Sequence, residues 1–256
     1  MTESMNTQQQ KSFKILLIGD NCTDVYKYGS VDRISPEAPV PVFVTKYDVV
    51  KDGMAGNVRN NLETLGCEVK FLHSETSTKT RLIDTRSKQQ IVRIDKDATS
   101  KPITVDIPLS GHDAIVISDY NKGTVSYELI EELRGNFSGP IFVDTKKTDL
   151  ARLEGCFIKI NELEHSRVTS LPEGVPSGLI VTYGERGVIY DEFVFGAKNV
   201  EVADVCGAGD TFLSALTYQY LNTQDMHKAI GFAIDASAIT VQHLGNYAPT
   251  LKEIHG

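Results

Sequence analysis

Cysteine is scarce and scattered in this sequence. Cys22, Cys67, Cys156 and Cys206 form no CxxC pair and show no metal-ligand spacing. That pattern excludes a disulfide framework or a zinc knuckle and suits reduced thiols in the cytoplasm; Cys206 is read as a small packed residue. No apolar run is long enough to span a bilayer, so no membrane role is expected. Met1 to Ser12 is polar and Gln-rich, without the apolar centre of a signal peptide, and reads as a disordered tail. Positive charge is in deficit, with 26 Lys and Arg against 34 Asp and Glu, a net of -8. That balance argues against nonspecific nucleic-acid binding. It still leaves room for an anionic substrate held by a few local cations. The six histidines show no ligand spacing, and His73, His112 and His243 read as ordinary surface or core residues.

What the chain does have is length and apolar content for one large α/β domain, 256 residues at 41% hydrophobic. Short apolar runs recur, and most end in a polar residue: Lys14 to Asp20, Ala114 to Asp119, Pro140 to Asp144, Phe157 to Asn161 and Gly178 to Gly184. Helical patterns lie between or after them, at Asn57 to Leu65 (stopped by Gly66), Ser126 to Arg134 (stopped by Gly135), Gly209 to Leu221 and Met226 to Leu244. Buried strands alternating with helices predict a parallel sheet covered on both faces. Ligands of such sheets bind beyond the carboxyl ends of the strands. Two alternating, β-rich segments, about 26–50 and 79–97, predict a small separate sheet, with Pro36, Pro39 and Pro41 suiting an edge or an extended entry.

The densest signal is Asp204-Val205-Cys206-Gly207-Ala208-Gly209-Asp210-Thr211-Phe212, leading into an apolar helix. Small residues let the backbone approach an anion, and the first N–H groups of a helix with its dipole favour one there. Asp210 at the rim of such a site could accept a proton from an attacking hydroxyl. A tight turn with an N-capping Asp has the same residue types.

With these residues in view, the chain resembles the ribokinase-like (PfkB) carbohydrate kinases. Asp204 to Leu216 matches that family's C-terminal signature, Asn161-Glu162-Leu163-Glu164 its Asn-x-x-Glu motif, and Gly19-Asp20 with Asp24, and Gly53 with Asn57, its N-terminal sugar-binding elements. Within the family, Tyr28 to Val42, Thr78 to Arg81, Gln89 to Asp95, Ser118 to Gly123 and Asp144 to Asp149 are similar to the kinase domain of bacterial ADP-heptose synthesis. The resemblance covers nearly all of the chain after Lys14. It implies a three-layer α/β/α ribokinase-like fold over 13–256, with a mostly parallel central sheet and a small β lid through which the chain dimerises. It implies ATP-dependent phosphorylation of D-glycero-D-manno-heptose 7-phosphate at O1, with Mg2+ as cofactor. Only the kinase half of the bifunctional members is represented.

The resemblance also assigns roles. Asp210 is the general base, and backbone N–H groups from Gly207, Ala208 and Gly209 hold the transferring phosphoryl. Asn161 and Glu164 serve the nucleotide and act on magnesium through water. Gly184 and Gly187 form a nucleotide-side turn, or a plain hairpin turn. Asp204 positions a monovalent cation such as K+, or the loop itself. Gly53, Asp24 and Asn57 belong to the sugar site, Asp24 alternatively to a turn and Asn57 to a helix cap. Arg33 and Arg81 are candidate clamps for the 7-phosphate, with a solvated lid arginine as the alternative for Arg81. Lys146 faces nucleotide or sugar phosphate, or is a surface lysine. Four departures from the family pattern stand out: Met54 replaces the second Gly of Gly-Gly, Thr145 a Pro, and Lys159-Ile160 the Thr-Pro before Asn161. The fourth is that only Glu68 to Thr78 separates the first helix from the lid strand, where the family places a further strand and helix. The alternatives are a kinase for a different sugar or sugar phosphate, or a degenerate non-catalytic homologue; the retained Asp210 speaks against the last.

Overall fold

The structure is a computed structural model and describes residues 12–173 and 178–256. Apart from Ser12, the expected tail lies outside the described residues. The chain runs β1 (Lys14–Gly19), β2 (Asn21–Ile34), β3 (Pro41–Met54), α1 (Ala55–Thr64), β4 (Glu68–Leu72), β5 (Thr76–Asp84) and β6 (Gln90–Lys96). It continues with β7 (Ala114–Asp119), α2 (Tyr127–Asn136), β8 (Ile141–Thr145), β9 (Phe157–Asn161), α3 (Glu162–His165) and β10 (Leu179–Thr182). Then come β11 (Val188–Tyr190), β12 (Phe193–Phe195), α4 (Ala208–Thr223), α5 (Met226–Thr240) and α6 (Leu251–His255).

The apolar runs build one sheet in the order β12-β11-β10-β9-β8-β7-β1-β4. The pairs from β10 through β4 are parallel; β11 and β12 add an antiparallel edge. Alternate residues of the strands enter two cores. Ile15, Leu17, Val116 and Phe142 pack under α1, α4 and α5, whereas Leu16, Ile18, Ile117 and Val143 pack under α2. A sheet buried on both faces explains why the runs read as continuously apolar. The second sheet, β3-β2-β5-β6, joins β2 to β5 in parallel between two antiparallel pairs.

Several boundaries differ from the sequence reading. β2 begins at Asn21 and β5 at Thr76, earlier than the alternation suggested, because β2 follows β1 with only Asp20 between them. The helix expected from Asn57 starts at Ala55, whose N–H donates to the Asp20 carbonyl. Met54, at φ 53°, is its N-cap and makes no side-chain cap bond. Asn57 therefore lies inside α1 rather than capping it. The backbone at Met54 keeps a conformation glycine adopts without strain, where the family has its second Gly. Gly135 does not end α2, which runs on to Asn136 from its Ser126 cap. The helix expected to reach Leu244 stops at Thr240, and a turn through Gly245 (φ 69°) carries Asn246 back to β3, where its Nδ2 donates to the Asp52 carbonyl at 2.9 Å.

Candidate active site

Gly207 takes φ 77° and opens α4, so Ala208, Gly209 and Asp210 form its first turn. This is the geometry that leaves backbone N–H groups without intrahelical partners. A side chain at Gly207 would meet Asn57 Nδ2 at 2.8 Å and Asn246 Oδ1 at 3.1 Å. Asp210 is only 6% exposed. Its Oδ2 accepts from Asn57 Nδ2 at 2.8 Å and its Oδ1 from the Tyr120 hydroxyl at 3.0 Å. Burial pushes the carboxyl up to about 6; Asp144 adds to the rise, while the Asn57 and Tyr120 bonds and the Lys159 charge oppose it. A buried carboxylate poised near neutrality, with two donors fixing its orientation, can take a proton from a hydroxyl.

Beside Asp210 lies a cavity of about 130 Å³, lined by Asp119, Tyr120, Asp144, Lys146, Lys159, Asn161, Glu164, Gly207 and Gly209 as well as Asp210 itself. These come from the carboxyl ends of β7, β8 and β9 and from the first turn of α4. Tyr120 is set by Asp20, whose carboxylate accepts from the backbone N–H of Tyr120 (2.9 Å), Lys122 (3.0 Å) and Thr124 (3.2 Å). Asp20, grouped in the sequence with the sugar elements, is thus spent on this loop. Burial holds the Tyr120 phenol well above its usual range, so it remains a donor to Asp210. Thr145, in the place of a proline, donates to Asp119 Oδ2 at 2.6 Å and accepts from the Lys147 N–H at 3.0 Å. A proline there could do neither.

Asn161 and Glu164 form a capping box on α3: Glu164 N donates to Asn161 Oδ1 at 2.9 Å and Asn161 N to Glu164 Oε2 at 2.8 Å. Lys146 Nζ stands 3.2 Å from Glu164 Oε1 and over the Tyr120 ring. Among the described residues no cluster of three or more His, Cys, Asp or Glu could hold a metal ion. Asn161 and Glu164 could therefore reach a hydrated ion only through water.

On the other side of the 204–207 loop, under the second sheet, a larger cavity of about 450 Å³ is lined by Tyr26, Tyr28, Tyr47, Lys51, Arg81, Lys88, Asp204 and Cys206, among others. Asp24 and Arg81, read separately in the sequence, bind each other at 2.5 Å. Asp24 Oδ2 also occupies the space that a side chain at Gly53 would need. Asp204 accepts from the N–H of Cys206 at 3.0 Å and of Gly245 at 2.9 Å, which hold its carboxyl below the usual range although its partial burial works the other way. One oxygen closes a turn within its own loop and the other ties that loop to the turn at Gly245.

Arg33 lies exposed near the far end of β2, paired in register with Val42, and lines neither cavity. Gly184 (φ 60°) and Gly187 (φ 96°) shape the turn joining β10 to antiparallel β11, so the hairpin reading of that turn holds. A side chain at Gly187 would strike the Phe195 carbonyl. Sequence reasoning missed Tyr120, Lys159 and Asn246 as site residues. The strand-ending Ser118-Asp119-Tyr120 run pointed to the first, and the departure from Thr-Pro-Asn to the second. Nothing local pointed to Asn246, which the turn after α5 delivers.

The profile of the pfkB family of carbohydrate kinases matches residues 49–253. The chain is 32% identical to the bifunctional protein HldE of a Nitratiruptor species over 298 aligned positions, covering 94% of this chain and 64% of that protein. It is also 32% identical to HldE of Campylobacter concisus, covering 95% of this chain and 64% of that protein. The chain thus spans less than two thirds of the length of these relatives. Among solved structures it is similar to ribokinase from Thermotoga maritima (TM-score 0.71, 16% identity, 95% and 98% of the two chains). Arabidopsis thaliana ribokinase complexed with ribose and ATP also superposes (TM-score 0.69, 14% identity, 96% and 98%). These superpositions establish a ribokinase-like fold.

Proposed function

We propose, from the premise that this chain belongs to the pfkB family of carbohydrate kinases and is a sugar kinase, that its substrate is a phosphorylated sugar, D-glycero-D-manno-heptose 7-phosphate, which it phosphorylates at O1 from ATP. The observation that carries the reading is the placement of Asp210 at the start of α4. There a buried carboxylate lines the small cavity at a helix N-terminus, and the loop that leads into the same helix lines the larger cavity beneath the lid sheet through Asp204 and Cys206.

In this reading the sugar occupies the larger cavity. Lys51, Arg81 and Lys88 line it against Asp84 and Asp204, and with Arg81 paired to Asp24 the two lysines are the charges left for a remote phosphate, which suits a sugar phosphate better than a free sugar. The three tyrosines there offer faces for the sugar ring. The end of the nucleotide occupies the smaller cavity, with the N–H groups of Gly207, Gly209 and Asp210 directed at its terminal phosphoryl; that of Ala208, expected in the same role, donates to the Val205 carbonyl at 3.4 Å. The 1-hydroxyl gives its proton to Asp210, its oxygen forms the new bond to phosphorus, and the bond to ADP breaks. Asn57 and Tyr120 hold the base while this happens, and Arg81, held by Asp24, borders the sugar. Magnesium, contacted through water by Asn161 and Glu164, would supply charge neutralisation to the nucleotide phosphates.

The lid exposes Val44, Tyr47, Val50, Val92 and Ile94 to solvent. Apolar surface of this kind on a four-stranded sheet supports self-association through the lid. A second reading, a kinase for another sugar phosphate, draws on the connection from β4 to β5. Only residues 73–75 join them, and the alignment to HldE is longer than this chain, so the relatives carry stretches absent here. An ADP-release assay over heptose 7-phosphate, hexose and pentose phosphates, and the matching free sugars separates the readings. The proposal expects kcat/KM to be highest on heptose 7-phosphate; a preference for any other sugar of the panel transfers the assignment to that sugar.

A further inference from the structure

We propose that Lys159 is a catalytic residue of this kinase, an ammonium fixed by Asp144 that contacts the oxygens of the transferring phosphoryl group. The proposal rests on the kinase reading but not on which sugar is used.

Lysine is rarely buried without a partner, yet Lys159 is 4% exposed in the middle of a parallel sheet. Its position on β9 is in register with Asp144 on β8, and its Nζ lies 2.7 Å from Asp144 Oδ2. Replacing such a pair with apolar residues is commonly neutral or stabilising, so stability alone gives little reason for it. Its location gives a better one. A Cβ built on Gly209 would stand 2.9 Å from Lys159 Nζ, so the ammonium lies against the first turn of α4, whose N–H groups have no partner within the helix. The same ammonium lines the cavity of about 130 Å³ beside Asp210. Four carboxylates border that cavity (Asp119, Asp144, Glu164 and Asp210), an environment that repels a phosphate unless cations stand within it. Of the two lysines lining it, Lys146 has a side chain 45% exposed and paired with Glu164. Lys159 is the buried one. Among the described residues its one hydrogen bond is to Asp144, which leaves two of its three donors for phosphoryl oxygens.

During transfer Lys159 stays protonated. The sugar proton goes to Asp210, the sugar oxygen gains the phosphorus, and the electron pair of the broken bond leaves on ADP. The fixed charge faces the oxygens on which negative charge is spread in the transition state. Asp144 is a positioning residue, acting through Lys159.

K159M alone leaves Asp144 buried without a partner, so the informative variant is K159M/D144N, which removes both charges together. Circular dichroism and thermal unfolding establish that it is folded. Calorimetric titration with ADP and with the β,γ-methylene analogue of ATP then isolates the terminal phosphoryl group. We expect ADP affinity within threefold of the parent, analogue affinity lower by about tenfold, and turnover lower by about 100-fold on whichever sugar phosphate the parent accepts. A folded double variant with parental affinity for the analogue and parental turnover would overturn the proposal. The two titrations use no sugar, so an error in the sugar assignment leaves them unaffected.

Discussion

Asp210 illustrates how one residue can serve chemistry against stability. Its carboxyl titrates at about 6, above its ordinary 3.8. A folded-state value above the unfolded one means that the folded protein binds the proton more tightly. The folded state therefore loses stability as pH rises from about 4 through about 6, on the order of 3 kcal/mol by the size of the shift. D210N removes that cost. It is expected to melt several degrees higher than the parent at pH 8 and to lose the advantage at pH 4, measured by thermal unfolding at both values. Tyr120 bears on the same group. Its hydroxyl bond favours the ionised form, so Y120F should move the acid limb of the kcat/KM profile from about pH 6 to higher pH. An unmoved limb would show that Tyr120 does not hold the base. The Gly-x-Gly-Asp pattern made Asp210 legible in the sequence, since spacing and residue type carry that chemistry. Tyr120 was not legible as a site residue, because its role depends on a contact 90 positions away.

At the scale of elements, the carboxyl ends of the strands do most of the placing. The polar ends of β7, β8 and β9 were readable as a converging rim, and the sheet order brings them side by side. What each polar residue does was not readable. Asp20, at the end of β1, folds back on three N–H groups of the 120–124 loop instead of facing a ligand. D20A leaves those donors unpaired, so we expect a loss of about 3 kcal/mol in denaturant unfolding. A kcat defect should persist at temperatures where the variant is still folded, because the loop carries Tyr120. The long fifth helix was over-read for a related reason. Its apolar period continues past Thr240, but Gly245 turns the chain so that Asn246 can bind β3.

Across the whole molecule, the 204–207 loop lines two cavities, the large one through Asp204 and Cys206 and the small one through Gly207. That division was inferable from fold class only in outline. The large cavity is lined by side chains from β2, β3, β5 and the turn after α5, and the small one by the ends of β7, β8 and β9 with the start of α4, sets that no local window contains. The shortened connection between β4 and β5 leaves the large sheet ending at β4. The proposed self-association through the lid gives a prediction at this scale: the parent should sediment as a dimer, and Val50→Lys combined with Ile94→Lys should shift it to monomer. An unchanged sedimentation coefficient would count against association through the lid.

The central claim is that Asp210 removes the proton from the sugar hydroxyl. The most direct measurement is the steady-state turnover of D210N beside its nucleotide affinity. The account predicts a kcat lower by about 10²–10⁴, with ATP affinity changed little. A folded D210N that turns over within tenfold of the parent would contradict it.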